Sequence, residues 1–366
     1  MGDDDGRVLP LWEQVDREGS AFEVGAYLAR LGFDETPPLA SKETLDLLLR
    51  AHLNAVPFEN LDVFGRESSV PSITLEFAKT YDKIVRRQRG GFCFEVNVAF
   101  GWLLRRLGFD AKYALGRVWR GTDVKSDAPN SFVENILEQQ SDAWDGTHSP
   151  THIMVVVKVD GNFYLCDVGF GDVPLIPLPL ATSKIIDIPG DYSYLFKKKE
   201  SLMGLYRISK GFPGLCGVRS EPGTPEPRIL FDLNLHRPAA HSYPGLFRCQ
   251  VDDEEEPIKS PLFRKMLLMT RYDLDGTKHV LMNARLRVTT PQAQVQETIL
   301  ENEDDFAKVL KTNFRIETIE EGFKPAIQKA LLPQDTTPAP PPPEEKKAGA
   351  EDPPFVLRFW PSFGEE

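Results

Sequence analysis

The stretch Arg86–Phe109, RRQRGGFCFEVNVAFGWLLRRLGF, sets a basic run and two glycines before a cysteine held between two phenylalanines. Beyond it, Val96, Ala99, Phe100, Leu103 and Leu107 fall at the spacing of one helix face, and Gly108 supplies a C-terminal stop. Cys93 therefore stands where a helix begins. The partial positive charge of a helix N-terminus lowers a thiol pKa, and Gly90 and Gly91 let the preceding backbone turn tightly. On position alone the thiol is a packing residue, a metal ligand, half of a disulfide or a nucleophile.

The other cysteines narrow that choice. Cys93, Cys166, Cys216 and Cys249 lie far apart with no CxxC pair, which is neither a disulfide framework nor a zinc signature. Free thiols in a reducing compartment fit better. The chain has 366 residues and 41% hydrophobic content, enough for a sizeable core and more than one domain. Its net charge of −12 argues against broad nucleic-acid binding. An anionic cofactor is still open, because a local basic patch can hold one. The two basic runs, KIVRRQRG (83–90) and LFKKKE (195–200), read first as solvated faces. Apolar runs such as IMVVV are too short to span a membrane. The acidic MGDDDGRVLPLWEQ start resembles no signal peptide and fits a myristoylation signal poorly. A cytoplasmic protein is expected.

Around the cysteine the chain alternates helical and strand patterns. AFEVGAYLARLGF (21–33) and SKETLDLLLRAHLNAV (41–56) have helical spacing, the second starting at Ser41. VPFENLDVF (56–64) reads as an apolar loop and AKYALGRVWR (111–120) as a strand. Residues 120–150 read as a polar surface insertion, and 173–250, short strands punctuated by Pro and Gly, as a barrel-like β region. A second hairpin turns near Asp275-Gly276, and DDFAKVLKTNFRI (304–316) follows as a helix. Residues 333–354 are a Pro-rich linker, and FVLRFWPSF (355–363) is too aromatic for a solvated tail. The expected fold class is α+β: a helical domain over 1–110, a β-barrel-like domain over 111–250, an α/β lid over 251–332 and a tail over 333–366.

The strongest local prediction is a register. HIMVVVKV (152–159) and NFYLCDV (162–168) flank Asp160-Gly161, a two-residue hairpin turn. Pairing Val159 with Asn162 places Asp167 opposite Met154, so His152 and Asp167 leave one face as diagonal neighbours. A slip of one residue would separate them. A carboxylate that orients an imidazole beside a cysteine at a helix start satisfies the logic of an activated nucleophile. Singly, His152 also reads as a satisfied core histidine and Asp167 as a turn cap. His52, His148, His236, His241 and His279 are not excluded by periodicity.

RGGFCFEVN, preceded by VPFENLDV and followed by GRV, a histidine before a hydrophobic strand and DVGFG, resembles the arylamine N-acetyltransferases in order and spacing. The matching runs cover most of residues 20–180. The resemblance implies a Cys-His-Asp triad of the thiol-protease or transglutaminase type, falling on Cys93, His152 and Asp167. It implies an acceptor pocket involving Phe58, Phe92, Val118 and Phe170, and donor contacts at Thr151 and Gly169. The activity implied is ping-pong transfer of an acetyl group from acetyl-CoA, through a cysteine thioester, to an aromatic amine or hydrazine, in xenobiotic detoxification. No metal and no tightly bound cofactor is implied. Downstream the likeness weakens: KSPLFRK (259–265) puts Leu262 and Phe263 where small hydroxyl residues are typical. The donor-binding C-terminal segment of vertebrate members has no counterpart, which leaves malonyl-CoA open as donor, and the insertion at 120–150 with the long tail suggests a eukaryotic, fungal member. A thiol hydrolase using the same triad is the alternative, and the Pro-rich tail is a candidate for binding a partner.

Overall fold

The computed structural model describes residues 11–35, 39–64, 73, 76–118, 152–188, 192–199, 202–210, 223, 225–232, 262–318 and 320–332. The expected insertion at 120–150, the tail at 333–366, Thr151, Cys216, Cys249 and three of the histidines lie outside these residues.

The first part of the chain is a helical layer: α1 Leu11–Glu18, α2 Val24–Leu31, α3 Lys42–Ala55, α4 Phe77–Tyr81 and α5 Cys93–Arg106. The α3 start expected at Ser41 is a side-chain cap, the Thr44 N–H donating to Ser41 Oγ at 3.2 Å. Beyond α5, Gly108 takes φ +90°, the left-handed conformation glycine tolerates best. The helix differs from the amphipathic expectation in one respect. Every residue from Cys93 to Leu104 is buried, including Glu95 and Asn97. A polar side chain in a helix buried all round must find a partner within the protein, and both of these serve the site described below.

VPFENLDVF does not form a plain loop. Phe58–Glu59 is a short strand, β1, that pairs antiparallel with β9 (Leu268–Tyr272) far downstream and bridges to Gly91. Its side joins the five-stranded sheet β1-β9-β10-β11-β12, with β10 Lys278–Met282, β11 Arg285–Thr289 and β12 Val295–Ile299. A local pattern two residues long could not reveal a partner two hundred residues away. A short helix, α6 Leu262–Lys265, precedes β9, and α7 Glu303–Phe314 and α8 Lys324–Leu331 cover this sheet.

Between these parts lies a seven-stranded antiparallel sheet. Its strands are β2 Asp110–Val118, β3 His152–Val159, β4 Asn162–Cys166, β5 Leu178–Pro179, β6 Tyr192–Lys199, β7 Leu202–Ser209 and β8 Pro225–Asp232. The spatial order is β5-β4-β3-β2-β8-β7-β6, and every strand contributes to one enclosed core. The sheet is not the barrel expected from the strand-rich sequence. Among the described residues its outer strands β5 and β6 are not paired, and the isolated Ile186–Tyr194 bridge ties β6 only to the segment after β5. Pro174, Pro177 and Pro179 lack the N–H donors that would extend β5 into a closing ladder.

The β3–β4 register is the one the Asp160-Gly161 turn predicts: Val159 opposite Asn162, then Lys158–Phe163, Val157–Tyr164, Val156–Leu165 and Val155–Cys166. β3 is buried on both faces. Ile153, Val155 and Val157 pack with the helical core, and Met154 and Val156 face the core of the curved sheet. No helix among the described residues is long and apolar enough to cross a membrane.

Candidate active site

The start of α5 and the end of the β3–β4 hairpin meet backbone to backbone. A Cβ added at Gly169 would lie 2.8 Å from Cys93 Cα, 2.7 Å from Val96 Cγ2 and 2.8 Å from Asn97 Nδ2. Glycine at 169 is therefore what lets the DVGFG segment rest on the first turn of the helix. His152 opens β3 opposite Gly116 of β2, and Val118 ends β2 two residues further on. The His152 Nε2 and Asp167 Oδ2 atoms are 2.7 Å apart, and both residues are buried. Phe170 closes edge-on against the imidazole, ring centroids 5.1 Å apart at 78°. It packs against both the helical core and the sheet core, so the site lies where those cores meet.

The second Asp167 oxygen is held from the helix. Asn97 Nδ2 donates to Asp167 Oδ1 at 3.0 Å, and the Gly169 N–H donates to the same oxygen at 2.9 Å. Asn97 Oδ1 accepts the Val168 N–H at 3.0 Å, so one amide ties both sides of that turn. Sequence reasoning missed Asn97. The signal was present: an amide one helical turn after Cys93 in an otherwise apolar run, where a polar group has to be spoken for.

Phe92, the residue before Cys93, belongs to an aromatic group. Phe58 on β1 and Phe92 sit 5.6 Å apart, centroid to centroid. Phe263 completes the trio at 4.9 Å from Phe92 and 6.0 Å from Phe58. The bulky Phe263, out of pattern in the sequence, thus joins the two phenylalanines expected to line the acceptor pocket.

The loop into Cys93 is organised differently from the expectation. Its sharp turn is at Gln88, with φ +51°, and the glycines serve close approach instead. A Cβ on Gly90 would come within 2.2 Å of the Pro57 carbonyl oxygen, and one on Gly91 within 3.2 Å of Glu95 Oε2. The basic run beside it is not simply solvated. Arg89 is 2% exposed and pairs with Glu59 (2.7 Å), Asp62 (3.0 Å) and Glu320 (3.4 Å), while Lys83 is buried among carboxylates. In the other run, Lys197 and Lys198 of β6 are exposed, as read.

The electrostatics correct a further expectation. Burial pushes the Cys93 thiol well above its ordinary range, and the charge of Asp167 adds to the rise. Hydrogen bonds from the Phe94 and Cys93 N–H groups at the helix start pull the other way without winning. Releasing the proton to solvent would leave two anions in a buried site. The thiol can ionise cheaply only by passing its proton to a base within the site. Cys166 is the other buried free cysteine among the described residues; burial raises it too, with the Lys42–Asp46 ion pair and Asp167 as its charged neighbours.

A helical layer on two antiparallel sheets, with a buried thiol at a helix start against the turn that follows a histidine-bonded aspartate, has counterparts among known proteins. A family model described as N-acetyltransferase matches residues 41–144 and 129–210. The pineal gland arylamine N-acetyltransferase of Gallus gallus is 34% identical over 145 residues, 40% of this chain and 42% of that one. The Mycolicibacterium smegmatis arylamine N-acetyltransferase is 35% identical over 153 residues, 41% of this chain and 47% of that one. The matched segments thus span less than half the length of these two relatives. In three dimensions the likeness is longer: the Salmonella typhimurium arylamine N-acetyltransferase aligns with TM-score 0.63 and 25% identity over 84% of this chain and 97% of its own. The Mycobacterium marinum enzyme, solved in complex with CoA, shares the fold with TM-score 0.62 at 24% identity, over 84% of this chain and 99% of its own. The class is thus that of the N-acetyltransferases. The chain belongs to the arylamine N-acetyltransferase family.

Proposed function

We propose that this protein transfers an acyl group from acyl-CoA to an aromatic amine or hydrazine through a thioester on Cys93. The observation that supports the reading is the meeting of the α5 start with the DVGFG turn, in which Gly169, two residues after the His152-bonded Asp167, rests on the Cys93 backbone. Asp167 holds the imidazole through Nε2, and His152 takes the thiol proton on Nδ1. The thiolate attacks the thioester carbonyl, and the tetrahedral oxyanion forms near the N–H groups at the helix start. The C–S bond to CoA breaks, and CoA leaves with the proton from His152. The amine nitrogen then attacks the Cys93 thioester and gives its proton to His152. The C–S bond breaks, that proton returns to sulfur, and the N-acyl amine departs. Exchanging one thioester for another is nearly isoenergetic, so Cys93 is loaded reversibly, and amide formation drives the second half.

Phe58, Phe92, Val118, Phe170 and Phe263 form the acceptor side, where flat aromatic substrates stack on aromatic walls. Gly169 and Thr151 belong to the donor side. Acetyl-CoA is the assigned donor, and the role assigned is the metabolism of foreign amines in the cytoplasm. Intact-mass measurement after mixing with acetyl-CoA should show an added acetyl group that Cys93→Ala abolishes and an arylamine removes. A donor panel including malonyl-CoA reads the choice of acyl group. Absence of an adduct with every donor refutes the reading, and CoA release that ignores the amine marks a hydrolase instead.

A further inference from the structure

At the start of α5, joined to the Phe92 backbone through Glu95, lies a buried charge cluster that the reaction as written does not use. Residues Asp82–Arg86 wind as a π-turn, a local widening that re-aims side chains. Lys83 is turned inward while Arg86 and Arg87 are turned out. The Lys83 ammonium lies 2.8 Å from Asp62 Oδ2, 2.8 Å from Glu95 Oε2 and 3.7 Å from Glu59 Oε1. Arg89 bridges Glu59 and Asp62 from the other side and stacks on Phe323, its guanidinium 4.3 Å from the ring centroid.

Glu95 carries the cluster to the nucleophile. The same oxygen that meets Lys83 accepts the Phe92 N–H at 2.8 Å, the peptide group one residue before Cys93. Glu59 ties in the acceptor side, since it follows Phe58 on β1 and its N–H donates to the Gly91 carbonyl at 2.9 Å. One ammonium thus touches the strand bearing Phe58 and the helix bearing Cys93. Burial alone pulls Lys83 down, but Glu95, Glu59 and Asp62 together hold it above its ordinary value, so it stays charged.

We propose that Lys83 is a positioning residue for the nucleophile: through Glu95 it fixes the Phe92–Cys93 backbone and cancels a carboxylate charge next to the thiol. The inference rests on Cys93 being the reactive thiol. The charges bearing on that sulfur are Glu95 from its own helix and Asp167 from the hairpin, with His152 bonded to the latter. Lys83 offsets the first, while the second is hydrogen-bonded by His152. Without Lys83, Glu95 would lose its ion pair and Glu59 and Asp62 would keep Arg89, which Glu320 also shares, so a thiolate near Glu95 would be disfavoured.

The test is alkylation of Cys93 by iodoacetamide across pH, read by peptide mass, with melting temperature recorded for each variant. Lys83→Met should raise the pH midpoint by about one unit and slow the reaction at neutral pH about tenfold. The variant Lys83→Met/Glu95→Gln removes one charge of each sign and should return most of that shift. Glu95→Gln alone should move the midpoint down, because the neutral amide still accepts the Phe92 N–H. Midpoints that stay at the wild-type value while melting temperature falls would overturn the inference, because a purely structural cluster changes stability and not the thiol. Should Lys83→Met fail to fold, Glu95→Gln decides: a lower midpoint supports the inference and an unchanged one overturns it. Alkylation needs no acyl-CoA, so this outcome is separate from that of the acyl-adduct experiment.

Discussion

The described residues hold two histidine–aspartate pairs at the same 2.7 Å separation, His152–Asp167 and His279–Asp273, and the turn after the first rests on the helix start that bears Cys93. Their carboxylates are supported in opposite ways. The free oxygen of Asp167 accepts from neutral donors, Asn97 and the Gly169 N–H, which leaves the carboxylate's charge to the imidazole. The corresponding oxygen of Asp273 meets the Arg271 guanidinium at 2.6 Å. Arg271 also donates to Asn54 and to the Asn313 carbonyl, and Asn313 Nδ2 reaches His279 Nδ1 at 3.2 Å. The second pair is thus a clamp between α3, β9 and α7. Burial, with the charge of Arg271, holds His279 below its ordinary value despite Asp273. A histidine–aspartate contact is not by itself a catalytic device. What the carboxylate's other oxygen touches decides whether its charge is available to the ring.

The comparison breaks most sharply at the two aspartates. Asp167→Asn should cut the rate of acyl-enzyme formation on the order of 10³-fold or more, with the fold retained by circular dichroism. Asp273→Asn, the same chemical change, should leave that rate within a few-fold and lower stability by about 1 kcal/mol, because its carboxylate is partly exposed. Equal losses in both variants would remove the distinction.

A third buried histidine shows the extreme without a carboxylate. His52 meets the Tyr27 hydroxyl at 2.9 Å, and burial, aided by the charge of Arg30, pushes it down to about 3 from an ordinary 6.5. It is neutral in the fold. Its contribution to stability is complete above pH 6.5 and is lost as pH falls from there toward 3. Urea titrations should show the wild type losing on the order of 3 kcal/mol between about pH 6.5 and pH 4, with a flatter limb in His52→Phe. A parallel decline in both proteins would reassign the acid sensitivity to other groups.

The finest cut is at Asn97. Asn97→Ala leaves Asp167 its Gly169 contact and should slow acylation roughly 10- to 100-fold, the scale of one hydrogen bond to a charged group. Asn97→Asp should be worse than alanine, since it sets a second carboxylate against Asp167.

Local chemistry was legible in the sequence wherever neighbours along the chain set it. The Asp160-Gly161 turn determined the register that puts His152 and Asp167 on one face, and Ser41 marked its helix start. What escaped depended on distant partners. β1 is a strand because of β9, Lys83 and Arg89 are buried because Glu59, Asp62 and Glu95 converge on them, and Asn97 matters because the DVGFG turn lands on it. The barrel expectation failed for a related reason. Strand count suggests closure, but the prolines around β5 withhold the donors that closure requires.

The contact between Gly169 and the Cys93 backbone has a consequence for the order of folding. Closing it shuts a loop of roughly 75 residues, at a chain-entropy cost on the order of 4 kcal/mol that local helix or hairpin formation does not meet. The helix with the thiol and the hairpin with its base can each form early, and they become a competent pair only on docking. On the proposed mechanism a half-folded chain presents a cysteine without its proton acceptor, and reactivity arrives only with that long-range docking step.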